Sequence, residues 1–509
     1  MAARFVLVDH DTPLLLPPDM REWVPTSHPV HFIMDAVGQL DASKARVDER
    51  GTGDAQYPPQ MMLGLLIYSY ATGVFSSRQI ERTTYGNVAV RVMCADTHPD
   101  HDAICAFRRR NGALVSSGFA QVLELAARCD VLKVGSITVA IDGTKVLANA
   151  SKHAAVSYAR AGQQVQELEL EVEELLGKAE QADSTPLGDG LSIPEEVQRR
   201  VERKARLARA RAEMAVRALA RSQEEKAAYE SKMAEREQKR AEGKKPRGRE
   251  PKPPGGGPGS KDQVNFTDPE SRIMKGGNGF AQSYNARAAV EVDSRLVVGQ
   301  RATNSPGDKA ELVESFTMIE PAAGPVGEVL VDNGFLSEAA VTGIEAKGTV
   351  HVLAAVKRQS HARSVAQLEK KADPPAPDPR APSAERMAHR VATRAGRERY
   401  KLRQQTVEPI FGIIREALGF RRFSMRGMAK TSQEWTLVTL AYNLKRLSHL
   451  GTKLAVAWKG RPATALPPFS HPPVPFFPGS PTFALRCLRR PVFSKNPTYM
   501  CSRLSPTGS

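Results

Sequence analysis

Asp142 and Asp332 each close an apolar stretch, and Glu408 lies in a later helical one. Carboxylates of this kind, once brought together, suit Mg²⁺, a hard cation that takes a few carboxylate oxygens and keeps several waters for a substrate. Two such ions about 3.5–4 Å apart activate an attacking oxygen and stabilise the leaving oxygen of a phosphodiester. That chemistry needs no cysteine or histidine cluster, and the five cysteines (Cys94, Cys105, Cys129, Cys487 and Cys501) are scattered without zinc spacing. Each acid alone has a blander reading. Asp142 precedes Gly143, and most Asp-Gly pairs merely start a turn. The chemistry therefore requires elements that make the acids converge.

Residues 136–145 read as a strand, because Ile137, Val139 and Ile141 alternate with smaller or polar residues. Asp142 falls at its end, where Gly143 lets the chain turn. An acid at the carboxyl end of a strand, on the rim of an α/β sheet, is well placed to hold a ligand or a metal. Residues 146–153 read as a second extended segment or a loop near that acid. Residues 285–294 and 295–302 form two strands around an Asp293-Ser294 turn. A helix runs from Ser305-Pro-Gly-Asp308 to about Ile319, and residues 327–332 form a short buried strand that ends in Asp332. A helix over 337–345, a strand over 350–356 and helices over 397–418 and 434–450 follow. Pro409 starts or kinks the first of these late helices at Glu408. Strand, strand, strand, helix, strand, helix, strand, helix is the order of an RNase H-like core. There the first and central strands are neighbours, so acids 190 residues apart (332 − 142) converge.

The rest of the chain frames this core. Residues 1–28 are an irregular lead, and 29–130 read as a helical N-terminal DNA-binding domain. In it Phe32, Val37 and Leu40 share a face, prolines open the helix after Tyr57, and Ser76 or Ser77 caps the next. Arg108 and Arg109, with Arg110, are offered to DNA phosphates, although a short charge run is usually a solvated face. The catalytic domain comprises 131–158 and 263–450, interrupted at 159–262 by a helical hairpin and a basic linker. Val165, Leu168, Val172, Leu175 and Ala179 form a heptad seam, and Val197, Val201, Ala208, Ala212, Ala215 and Leu219 its partner. Ser192-Ile-Pro-Glu195 reads as a capping box opening the second helix. Residues 360–390 read as a disordered loop, and 451–509 as a disordered Pro-rich basic tail. The fold class is thus α/β: an RNase H-like mixed sheet with flanking helices, an all-α N-terminal domain and a helical-hairpin insertion.

Charge narrows the function. A net charge of +16 and a pI near 9.6 favour a polyanionic partner, with nucleic acid the usual one. Scattered thiols fit a cytosolic protein. No run of about 18 apolar residues suggests a membrane span, and the N-terminus is unlike a signal peptide.

In order and spacing the motifs resemble the DDE transposases of bacterial insertion sequences, in the branch with helices before the catalytic core. The resemblance rests on Tyr57-Pro-Pro, Ser76-Ser-Arg-Gln-Ile-Glu81, Val139-Ala-Ile-Asp142-Gly-Thr-Lys145, Asn265-Phe-Thr-Asp-Pro-Glu-Ser-Arg-Ile-Met-Lys275, Tyr284-Asn-Ala, Asp332-Asn-Gly-Phe335 and Val407-Glu408-Pro-Ile-Phe-Gly412. It spans roughly residues 10–450. It implies that Asp142, Asp332 and Glu408 are catalytic ligands of two Mg²⁺ ions, with Mn²⁺ able to substitute. It implies terminal inverted repeats and target DNA as double-stranded partners, at least a homodimer on DNA, no membrane and a cytoplasmic, nucleoid-associated location. Lys145, Lys152, Arg403 and Arg415 would contact DNA. The late acid departs from the pattern of relatives: four residues, not three, separate Arg403 from Glu408, and Arg415 replaces a lysine. A nuclease or resolvase of the same fold, and an inactive DNA-binding remnant, are the alternatives. Asp268 reads as a turn former, Glu416 as a rival to Glu408, His153 as a surface residue and Trp435 as core.

Overall fold

A computed structural model of the chain describes residues 20–451 except 21, 48–55, 134, 183–192, 244–248, 278, 309–310, 347–349, 357–372 and 379–380. The capping box at Ser192 and the tail beyond 451 lie outside the described residues. The strands in chain order are β1 (Ile137–Leu147), β2 (Ala155–Ser157), β3 (Gln263–Asn265), β4 (Arg272–Gly276), β5 (Gly279–Glu291), β6 (Val297–Thr303), β7 (Val326–Val331) and β8 (His351–Ala354). The fold is mixed α/β.

β1 is the axis of the main sheet. It pairs antiparallel with β5 on one side and parallel with β7 on the other. β8 continues beyond β7 in parallel. β4 pairs antiparallel with the first part of β5 and β6 with the rest. The parallel strands are near-continuous apolar runs, as expected where both faces are covered: Val329, Leu330, Val331, Val352 and Ala354 are buried. β2 and β3 form a separate two-stranded pair.

The structure corrects the expected end of β1. Asp142 does not terminate the strand, which runs on to Leu147. What ends is its partner. Ile141 faces Val331, the last residue of β7, while β5 keeps pairing with β1 as far as Leu147. Asp142 and Asp332 are therefore the next residues beyond one shared rung. Past that rung Leu147 exchanges backbone hydrogen bonds with Arg421 and Phe423 instead.

Two helices are enclosed on most sides, and the first is apolar nearly all round for that reason. Pro59–Ala71 buries Met62 through Ala71 without interruption. Met428–His449 buries Trp435, Leu437, Leu440, Leu444 and Leu447, among others. Trp435 is fully buried and donates its Nε1–H to the Arg287 carbonyl at 2.8 Å, so it is core as expected. Ser76 is the N-cap of Ser77–Gly86 but makes no side-chain capping bond. In the first helix Ile33, Ala36 and Val37 are buried, whereas Phe32 is half-buried.

Part of the expected loop at 360–390 is a helix, Ser383–Ala392. Met387 and Val391, four residues apart, are buried on one face, and the Ala354 N–H points to Met387 Sδ at 3.3 Å. The Pro-rich stretch before it masked that short apolar period.

The hairpin consists of Tyr158–Ala182 and Ile193–Ala241. Arg200 pairs with Glu171 at 2.6 Å and Lys204 with Glu169 at 2.8 Å, while Arg211 lies over the Tyr158 ring. These contacts fix an antiparallel register. Of the expected seam in the first helix Leu168 is buried and Val165, Val172, Leu175 and Ala179 are half-buried, with Ala161 buried outside that set, and the second helix presents Leu207, Ala210, Met214 and Ala218. Val201 and Leu219 are exposed. The reason is a third partner: Val156 of β2 and Val264 of β3 join the same cluster, so the helix does not face its partner helix alone. Leu219→Ser is expected to change stability by less than about 0.5 kcal/mol, and Met214→Ala to cost about 2 kcal/mol. Thermal unfolding followed by circular dichroism checks both.

Candidate functional site

The helix Arg394–Gly412 crosses the sheet next to the shared rung. Its Thr393 cap accepts from the Gly396 N–H at 3.0 Å, and Thr406, Val407, Ile410 and Phe411 are buried. Polar contacts pin it at successive levels of the sheet. Arg399 pairs with Glu328 at 2.6 Å and donates to the Thr138 hydroxyl at 3.0 Å. The Tyr400 hydroxyl donates to the Val331 carbonyl at 3.2 Å, one residue before Asp332. Pro409 lies inside the helix, removing one backbone donor. A π turn over Ile413–Ala417 follows, and from it Arg415 reaches the Thr144 hydroxyl.

Within this frame the three acids gather around one guanidinium. Arg403 Nη1 lies 3.1 Å from Asp142 Oδ2, and Nη2 lies 3.3 Å from Glu408 Oε1 and 3.8 Å from Asp332 Oδ1. The Arg403 side chain is 7% exposed, against 23% for Asp142, 52% for Asp332 and 53% for Glu408. The cation is thus the floor of the cluster, and two acids form an open rim. Burial raises the Asp142 carboxyl above its ordinary value, and this outweighs the Gly143 N–H and Arg403, which lower it. Burial acts to lower the Arg403 guanidinium, but Asp142, Tyr400, Asp332 and Glu408 raise it on balance. Among the described residues no three His, Cys, Asp or Glu side chains are close enough to enclose a metal ion. The carboxylates here are spaced around Arg403. Their all-oxygen donor set fits a hard divalent cation and offers nothing to a soft one.

The other residues singled out in the sequence are more dispersed. Arg415 stands beside β1 at Thr144 and is exposed. Lys145 is half-buried; its Nζ donates to the Pro306 carbonyl at 3.2 Å, and burial lowers its ammonium despite the nearby Asp308. Lys152 is exposed in a 3₁₀ turn, Lys152–Ala154, and His153 is exposed beside it. Arg109 is exposed at the end of His101–Arg110, but Arg108 is not available to a phosphate. Arg108 is buried, and its Nη1 donates to the Tyr70 hydroxyl and the Phe75 carbonyl, both at 2.9 Å. Arg403, expected at DNA, is likewise spent on the acids. Glu416 pairs with Arg421. Asp268 is buried, accepting from the Tyr284 hydroxyl at 2.9 Å and the Gly427 N–H at 3.2 Å, so it ties a turn to the start of the last long helix.

Sequence reasoning did not find the roles of Tyr400 and Arg399, nor the buried Arg287. Arg287 donates to Asp308 at 2.9 Å and lies over the Phe335 ring, holding the loop before Leu312–Thr317 against the Asp332 turn. Arg287 and Tyr400 each carry a signal in the sequence. Arg287 interrupts the apolar run Ala286–Val290, and a charge in such a run requires a partner. Tyr400, Arg403 and Val407 follow helical spacing, so they share one face.

Residues 18–110 match the family model described as Transposase domain (DUF772), and residues 377–448 match that described as Transposase DDE domain. The first covers the N-terminal helices and the second the stretch with Arg403 and Glu408; Asp142 and Asp332 lie outside both. No curated protein and no solved structure matches the chain. No helix among the described residues is long and apolar enough to cross a membrane.

Proposed function

From a chain that belongs to the insertion-sequence DDE transposases, as its two matched segments support, we propose a metal-dependent enzyme acting on the terminal inverted repeats of its own element. It hydrolyses the phosphodiester at the element's end, and the freed 3′-OH then attacks target DNA by in-line displacement. One observation carries this reading: Asp142, Asp332 and Glu408, from two adjacent strands and a crossing helix, converge on one cation. The strand order β6-β5-β1-β7-β8, antiparallel then parallel, supports an RNase H-like core over 131–158 and 263–450. The helices of 29–130 form the DNA-binding domain, and 159–262 is an insertion.

Mg²⁺, or Mn²⁺ in its place, would be held by the three carboxylates and would activate the attacking oxygen while stabilising the leaving one. The protein supplies the positions. β1 and β7 fix the two aspartates beyond their last shared rung, and the Arg394–Gly412 helix carries Glu408 to them. Arg415 provides a cation for a phosphate at the rim, and Arg109 and Lys152 are exposed for more distant ones. Two element ends must be paired, so the active form is at least a dimer. Its place is the cytoplasm, at the nucleoid.

The test is cleavage of terminal-repeat DNA by the purified protein with Mg²⁺ or Mn²⁺, beside Asp332→Asn. The wild type is expected to nick the repeat end and the variant to leave it intact. Equal cleavage by both would sink the proposed site. Tight binding with no cleavage by either would point instead to an inactive DNA-binding remnant, and cleavage without strand transfer to a nuclease or resolvase.

A further inference from the structure

We propose that Arg403 is an internal cation that fills the Asp142–Asp332–Glu408 cluster while no metal is bound, and that a divalent ion enters only as the guanidinium leaves. The inference rests on the reading of these acids as a metal site. It adds that metal binding is an exchange rather than a simple addition.

Three observations carry it. First, one guanidinium touches all three acids, at 3.1, 3.3 and 3.8 Å, and is almost wholly buried among them. Three carboxylates gathered on one group repel one another, most at the largely buried Asp142, and Arg403 offsets that repulsion. Secondly, its position is not a fully satisfied one. Among the described residues Arg403 Nε is buried without a hydrogen-bond partner, and the contacts to Asp332 and Glu408 are long for charge-assisted bonds. Thirdly, the charges do not balance. One positive charge against three carboxylates leaves a deficit that a divalent ion fills better. Two open carboxylates at the rim give that ion a way in.

Arg403 sits five residues before Glu408 on the same helix, so it competes as a tethered ligand at high effective concentration. A purely structural Arg403 would bring the acids together and so favour metal. An exchanging Arg403 opposes metal. The two roles predict opposite signs.

The probe is Mn²⁺ titrated into the full-length protein without DNA, with free ion read by electron paramagnetic resonance. Arg403→Gln is expected to bind Mn²⁺ at least about tenfold more tightly than the wild type. In EDTA the variant melts lower, because its acids lack any counter-charge, and saturating Mn²⁺ raises its Tm by more than it raises that of the wild type. Asp142→Asn should abolish binding in both backgrounds. Equal or weaker Mn²⁺ binding by Arg403→Gln, still abolished by Asp142→Asn, overturns the exchange and leaves the metal site standing. No binding by either protein overturns the metal site and the exchange together. Should Arg403→Gln not fold, Arg403→Lys serves, since a single ammonium cannot span three carboxylates; affinity at or below that of the wild type there also overturns the proposal.

Discussion

Asp142→Asn should fold, bind terminal-repeat DNA within about twofold of the wild type and cleave it roughly a thousandfold more slowly, or worse. That loss corresponds to about 4 kcal/mol of barrier. The amide keeps the size and one oxygen of the carboxylate but not its charge, and a hard divalent ion is held by charge. The same change is gentle on the fold. Asp142 sits between Ile141 and Gly143 on a strand whose backbone pairing with β5 does not involve its side chain. Burial already raises its carboxyl, so part of the charge is a cost that the amide removes. The lost contact to Arg403 offsets that gain. Net stability should move by no more than about 1–2 kcal/mol.

The pH dependence carries a sign as well. A carboxyl raised in the folded state adds a stability component that is present in acid and is lost as pH rises through its folded value. Wild type and Asp142→Asn should therefore differ in the slope of stability against pH just above the ordinary aspartate range, with the wild type gaining on acidification. Single-turnover cleavage, gel shift and melting curves read the three effects separately. Cleavage within tenfold of the wild type would remove Asp142 from the site.

What the sequence revealed, and what it hid, follows from the range of the forces involved. Apolar alternation marks β1, and the apolar run Val329–Val331 marks β7, because burial of those side chains is what makes them strands. The acids could be singled out because each directly follows such a run or lies in a helix with its own period. Locally Gly143 has the character of a turn, so the sequence ends β1 at Asp142, yet pairing with β5 carries the chain straight through it. Gly143 is needed for a different reason: a Cβ there would meet Asn285 Oδ1 at 2.6 Å. Charge alone offers Arg108 to DNA, and the family resemblance alone offers Arg403. Of their partners only Glu408 is near in the chain; Tyr70, Asp142 and Asp332 are tens to hundreds of residues away, and no local pattern encodes such pairings. The hairpin seam drifted for the same reason, since β2 and β3 complete a cluster that heptad spacing cannot anticipate.

The same long-range pairing makes Glu434→Ala the most damaging stability change, at about 3–5 kcal/mol. Glu434 is fully buried in the Met428–His449 helix. It accepts from the Ser424 N–H at 2.9 Å, the Met425 N–H at 3.0 Å and the Ser424 hydroxyl, so it shapes the loop entering that helix. It also accepts from the Tyr70 hydroxyl at 3.1 Å, and Tyr70 in turn receives Arg108 at 2.9 Å. One carboxylate thus joins the N-terminal helices to the helix behind the sheet. Alanine would leave two backbone donors and two hydroxyls, those of Ser424 and Tyr70, without this acceptor, at about 1 kcal/mol or more each, and would strip the buried Arg108 of the Glu434 charge. Burial acts to lower the Arg108 guanidinium, but Tyr70 and Glu434 raise it on balance; without Glu434 one of those opposing charges is gone. Glu434→Gln, which keeps an acceptor, should cost about half as much. Adding Arg108→Met to Glu434→Ala should restore part of the loss, because a lone buried charge is costlier than none. Additive losses in that double variant, measured by thermal unfolding, would show that Arg108 and Glu434 are not coupled through Tyr70.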